Sequence, residues 1–183
     1  MGSIREEIKQ TRPFASLATE AVLTLLRTAD QVRAELAAVV DPHGITLQQY
    51  NVLRILRGAG PRGLPTLEVA VRMIEKSPGI TRLLDRLQAK GLVSRRRCPQ
   101  DRRQVLCCAT SRALSLLGRL DRPMDEAAAC ALLPLDRRSA ARLVRLLDSV
   151  RAQAARREAA LGSPAAATAA PPRDRRQEKE IRT

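Results

Sequence analysis

Apolar positions recur along most of this chain at helical spacing, and the pattern breaks at a few defined places. Val22, Leu25, Ala29, Val32, Leu36 and Val39 are spaced 3, 4, 3, 4, 3, a narrow seam inside a helix predicted over residues 14–40. Such a seam packs on its own domain, on a second copy, or on both. Asp41-Pro42-His43-Gly44 ends it. A second helix is predicted from Thr46 to Arg57, where Thr46 and Gln49 fit a capping box and Gly58 fits a left-handed C-terminal cap. GAGPRGLP, residues 58–65, reads as a loop. Thr66 can cap a short helix to about Ile74, with Leu67, Ala70, Val71 and Ile74 as its inward face. Ser77 caps the next, with Pro78 at its first position, where a missing N–H costs nothing. There Ile80, Leu83, Leu84 and Leu87 fall at i, i+3, i+4, i+7 and face inward. Thr81, Arg82, Asp85 and Arg86 are left on the opposite side. Lys90 lies in the last turn and Gly91 stops it.

After this point the period changes. Leu92–Arg96 and Gln104–Ala109 are strand candidates around a tip that holds Pro99 and Asp101. Thr110 or Ser111 starts another helix running towards Leu133, which Pro123 is expected to kink or interrupt. Asp136 can cap a last helix with an apolar stripe of Leu143, Leu146, Leu147 and Val150. From Gly162 the chain is Ser/Pro/Ala-rich and then charged, and reads as a disordered tail over 162–183. The sum is a mostly α fold with a small β-wing: helix, helix, recognition-type helix and hairpin, in the order of a winged helix-turn-helix.

Charge sharpens this reading. The 183 residues carry a formal +14. Residues 72–103 hold ten Lys/Arg against three acids, a net +7 that is half of the total. Basic charge concentrated on one helix and one hairpin is the footprint of a nucleic-acid surface. Aromatics bear on which nucleic acid. Phe14 and Tyr50 stand alone, with no Trp, so there is almost nothing on which to stack single-stranded bases, and duplex is the expected partner. Cys98, Cys107, Cys108 and Cys130 form no CxxC pair, and His43 is the single histidine, so no metal site or cofactor is expected. No Walker loop or GxSxG is present, and nothing points to an enzyme. The N-terminus lacks the apolar run of a signal peptide, and no stretch approaches a membrane span. A cytoplasmic protein with reduced thiols is expected.

The motifs ITLQQYNVLRIL (45–56), TRLLDRLQAKGLVSR (81–95), DRRQV (101–105) and LDRRSAARLVRLLD (135–148), taken in this order, resemble the MarR family of bacterial transcriptional regulators. The resemblance covers residues 45–150. It implies a homodimer built from the first and last helices, two winged domains, and a pseudo-palindromic operator. Under it the chain divides into an extension (1–13), a dimerisation helix (14–40), a winged DNA-binding domain (45–110), C-terminal dimerisation helices (111–161) and the tail. Pro78, Gly79, Ala109 and Ala113 depart from the residues common in that family.

The candidate DNA contacts follow from residue chemistry. Ser77 and the backbone N–H groups of Gly79 and Ile80 at a helix start suit a phosphate oxygen. Thr81, Arg82, Asp85 and Arg86 are placed to reach base edges, where an Arg–guanine pair gives about 1–3 kcal/mol of discrimination. Asp85 can instead orient an Arg, and Asp85 with Arg86 can equally form a solvated face. Arg95, Arg96 and Arg97 divide between phosphate and solvent because strand neighbours alternate, Arg95 and Arg97 being the candidate contacts. The resemblance assigns Asp101 and Arg103 to the wing's Asp-x-Arg pair, the Arg entering a minor groove and the Asp bracing it; Arg102 or Arg103 can be the inserted residue.

The resemblance also implies a repressor relieved by a small anionic or phenolic ligand. Tyr50 and Arg54, one turn apart, can present a hydroxyl and a cation to one, or form a core-edge pair. Two other readings share the basic motif: a redox-responsive regulator using Cys98, whose Arg neighbours favour thiolate, and a non-specific architectural DNA-binding protein.

Overall fold

The computed structural model describes residues 2–75, 79–98, 101 and 104–161. It is mostly helical. Helix α1 (Ile4–Glu7) is opened by a Ser3–Glu6 capping box. Helix α2 (Leu17–Val40) starts at Ser16, whose hydroxyl accepts from the Thr19 N–H. A 3-10 turn, Asp41–His43, carries the chain into helix α3 (Leu47–Ala59). Both bonds of the Thr46–Gln49 capping box are present at 3.2 Å. Helix α4 (Thr66–Arg72), helix α5 (Ile80–Ala89), helix α6 (Ser111–Ala131) and helix α7 (Arg137–Leu161) follow.

Three short strands complete the fold: β1 (Leu64–Pro65), β2 (Val93–Arg97) and β3 (Val105–Ala109), in the antiparallel order β1-β3-β2. The hairpin register pairs Val93 with Ala109 and Arg97 with Val105. The β1 pairing, Leu64 with Cys107 and Pro65 with Leu106, falls where the sequence reads as loop. Two residues are too few to show a period, and Pro65 is tolerated because an edge strand can lack one donor.

The chain separates into two compact units, residues 1–132 and 133–183. The first holds an aliphatic core in which Val40, Val52, Leu53, Leu56, Val69, Leu84, Leu87, Leu117 and Leu120 are fully buried. The second contains α7, whose start is capped by Asp136 accepting from the Ser139 N–H at 2.7 Å. Two hydrogen bonds from Ser139 hold the Asp136 carboxyl below its ordinary pKa.

Four local expectations are corrected. Gly58 lies inside α3, and Gly60 takes the positive φ of 65°. Pro61 disfavours helical backbone in the residue before it, so the stop falls on the second glycine of Gly58-Ala59-Gly60. Thr66 is the first residue of α4 and makes no side-chain cap. That helix buries Val69 and Met73, leaving Leu67, Val71 and Ile74 about four-fifths exposed. A two-turn helix with apolar residues on both sides has no single stripe, and its packing on α3 and α5 makes the choice. Lastly, α6 runs through Pro123 without interruption. Leu116, Leu117, Leu120 and Met124 are all buried against the core, and this packing holds both halves of the helix on one course.

Candidate nucleic-acid interface

Helix α5 is the centre of the basic surface. Leu83, Leu84 and Leu87 anchor its inner face. Thr81, Arg82, Asp85 and Arg86 are exposed on the other, as their spacing predicts. Gly79 holds the N-cap position, half-buried, and its carbonyl accepts from the Leu83 N–H at 3.0 Å. The helix thus begins later than expected, with Gly79 rather than Ser77 as its cap and Ile80 rather than Pro78 as its first residue; Ser77 and Pro78 lie outside the described residues. The C-terminal end is closed by a Schellman-type cap: Gly91, at φ 68°, donates to Gln88 O, and Leu92 donates to Leu87 O, each at 2.9 Å. Thr110 then ties this cap to the start of α6, donating from its hydroxyl to Gly91 O at 2.9 Å and from its N–H to Leu92 O at 3.1 Å.

An ion pair joins the hairpin to α5, Arg95 Nη1 to Asp85 Oδ1 at 2.6 Å. Asp85 therefore orients a strand arginine. Partial burial pulls the Arg95 guanidinium down, but its bonds to Asp85 and Cys107 outweigh this and hold it above its ordinary pKa. Arg96, on the opposite face of the strand, donates to Pro61 O and Arg62 O at 3.0 and 3.1 Å. Arg97 is exposed. Nearer the tip, Asp101 Oδ2 accepts from Gln104 Nε2 at 3.1 Å, Asp101 O from the Gln104 N–H at 2.9 Å, and Gln104 O from the Cys98 N–H at 2.9 Å. Arg102 and Arg103 lie outside the described residues. In the sequence Gln104 is read only as the start of a strand, although its i, i+3 spacing from Asp101 is a side-chain pairing signal. Cys98 is half-buried where β2 ends, Cys107 is buried, and Cys130 is exposed.

Tyr50 is buried, with the Arg54 guanidinium carbon 5.9 Å from its ring centroid. Burial raises the phenol pKa, against a smaller lowering by Arg54. One turn on, Arg57 grips Asp121 of α6 with two bonds of 2.9 Å. These residues brace α3 on α6 and line neither of two cavities nearby. The first, about 440 Å³, lies between the α2–α3 turn, the end of α5 and the start of α6. The second, about 260 Å³, is lined mainly by apolar surface from Ala37, Leu47, Met73 and Ile74, with Arg33, Gln48 and Glu75 at its polar side. Glu75 accepts from Arg33 Nε at 2.7 Å and from Gln48 Nε2 at 2.9 Å. The bond from Gln48, and then that from Arg33, holds its carboxyl below the usual range against partial desolvation. Sequence reasoning missed this link because its partners stand 42 and 27 residues apart.

Among the described residues, no group of His, Cys, Asp and Glu could hold a metal ion, and no helix is long and apolar enough to cross a membrane.

A family model described as MarR family matches residues 43–104. The chain is 38% identical over 79 residues to the HTH-type transcriptional regulator TtmR of Methylorubrum extorquens; the match covers 43% of this chain and 40% of that protein's length. It is 27% identical over 105 residues to the homoprotocatechuate degradative operon repressor of Escherichia coli, covering 57% of this chain and 70% of that one. The solved structure of a MarR transcription factor from Planctomyces limnophilus matches at a TM-score of 0.58 and 39% identity, over 74% of this chain and 98% of that one.

Proposed function

The chain belongs to the MarR family of DNA-binding transcription regulators, and from that premise we propose that it acts as a homodimeric repressor released from its operator by a small ligand. The observation that carries this reading is the exposed face of α5, with Thr81, Arg82 and Arg86 outward and Asp85 locked to the hairpin through Arg95. A helix N-terminal half presented this way fits a major groove, and its adjoining hairpin fits the flanking minor groove. Arg82 and Arg86 read bases, with Thr81 beside them. Ser77, Gly79 and Arg97 contact phosphate. Asp101 braces the wing from which Arg102 or Arg103 reaches into the minor groove. Arg95 acts chiefly by fixing the angle between helix and hairpin.

Dimerisation uses α2 and α7. In the single chain Val22, Leu25 and Leu26 of α2 and Val144, Leu146 and Val150 of α7 are 42–62% exposed, an arrangement that a partner would bury. Repression is supported by the named role of the Escherichia coli relative. For the effector, the 260 Å³ cavity offers an apolar floor and one cation, Arg33, which suits a small anionic or phenolic molecule. A ligand anion that takes Arg33 competes with Glu75, and Glu75 stands five residues before α5. Tyr50 and Arg54, both on α3, lie outside the lining of this cavity and are left out of the proposed effector site.

The reading is tested by footprinting the full-length protein on the DNA flanking its own gene. A protected pseudo-palindrome is expected, lost in Arg103→Ala while that variant keeps its circular dichroism and dimeric mass. An unchanged footprint with Arg103→Ala removes the wing assignment, and uniform protection of all DNA removes the operator.

A further inference from the structure

The 440 Å³ cavity is distinct in place and chemistry from the proposed effector cavity. Its floor is buried and apolar: Ile45, Leu92 and Leu116 are 2, 4 and 6% exposed. Its rim carries Lys90, Arg112 and Arg119, together with His43. No carboxylate lines it among the described residues. Arg112 and Arg119 are seven residues apart in α6, so they share a face with Leu116 between them. Three basic side chains around one concavity with no lining carboxylate among the described residues favour an anion there. The volume is that of a small-molecule site.

The rim is also mechanically connected to DNA reading. Lys90 is the C-cap of α5, and its ammonium donates to Gly44 O and, at 3.2 Å, to Gln49 Oε1. It thereby fastens the end of the DNA-reading helix to the start of α3. We propose that this cavity is a binding site for a small multivalent anion of the phosphate class, and that the anion draws Lys90 from Gly44 and Gln49 and so weakens operator binding. This rests on the chain being an operator-binding regulator only for its second half; anion binding itself does not require it. A phosphate of the duplex has the same chemistry. The free anion is favoured because the site lies at the C-terminal end of a ten-residue helix, about 15 Å from the N-terminal end that enters the groove.

The test is calorimetric titration of the full-length protein with inorganic pyrophosphate, against sodium chloride at matched ionic strength, for wild type and Arg112→Gln/Arg119→Gln. One saturable site per chain is expected, with at least about tenfold weaker binding in the variant and an unchanged melting temperature. Anisotropy on a duplex selected by the protein from a random pool then reads the coupling. Pyrophosphate should lower wild-type affinity about fivefold beyond the salt control and leave the variant at the salt control. Heat no different from chloride, or equal binding by variant and wild type, overturns the site. Loss of duplex affinity in the variant without any anion assigns the two arginines to DNA phosphates and also overturns it. If the anion binds and no duplex is bound specifically, the site stands and the operator reading is what fails.

Discussion

Gly44 and Gly63 have the same φ of 69° and different reasons for it. At Gly44 the backbone is ordinary left-handed helical, with ψ 25°, and an added Cβ meets nothing within 4 Å. At Gly63 ψ is −175°, a region essentially reserved for glycine, and a Cβ would lie 2.6 Å from Cys107 O and press on the Cys108 thiol. Gly44→Ala should therefore cost about 1 kcal/mol. Gly63→Ala should cost about 3 kcal/mol and loosen β1 from β3. Chemical denaturation of both variants checks the difference. The Arg57–Asp121 pair gives a pH prediction. The bond from Arg57 lowers the Asp121 pKa, so the stabilisation is complete above the ordinary aspartate value and is lost as pH falls through the lowered one. Asp121 is nearly half exposed, which limits the effect to about 1 kcal/mol. Asp121→Asn should thus be less stable than wild type at pH 7, and in thermal melts the difference should begin to shrink only as pH falls past the ordinary aspartate value of about 4, closing below the lowered one.

Among the elements, α5 and its hairpin separate two kinds of arginine. Arg82 stands on the exposed face of the helix, whereas Arg95 joins helix to strand. Arg82→Ala should cost about 1–3 kcal/mol of discrimination at one base pair and change affinity for random duplex little, as competition binding would show. The inward Leu83, Leu84 and Leu87 and the outward Arg82 and Arg86 were legible in the sequence because one helical period separates them. The Thr46–Gln49 box and the Gly91 stop were legible because each is a local signal with one backbone solution. The inward face of α4 was not, since Leu67 and Val69 are both apolar and only the tertiary partner distinguishes them. β1 was not, since its pairing with β3 spans more than forty residues. Of the candidate site, the residue types were readable and the Asp85–Arg95 and Arg33–Glu75 pairings were not, because long-range ion pairs leave no periodic trace.

On the scale of the whole chain, charge and apolar exposure divide the work. Half of the net +14 sits between residues 72 and 103 of the sequence, the stretch that includes α5, while α2 and α7 carry exposed apolar side chains. A protein built this way draws its affinity from phosphates and its specificity from a few base contacts. The most direct measurement of that claim is fluorescence anisotropy of the full-length protein on its footprinted duplex and on a shuffled duplex, across a salt titration. The account predicts steep salt dependence on both and a preference of about 10³-fold or more for the footprinted site at physiological salt. Equal affinity for the two duplexes at every salt concentration would contradict it.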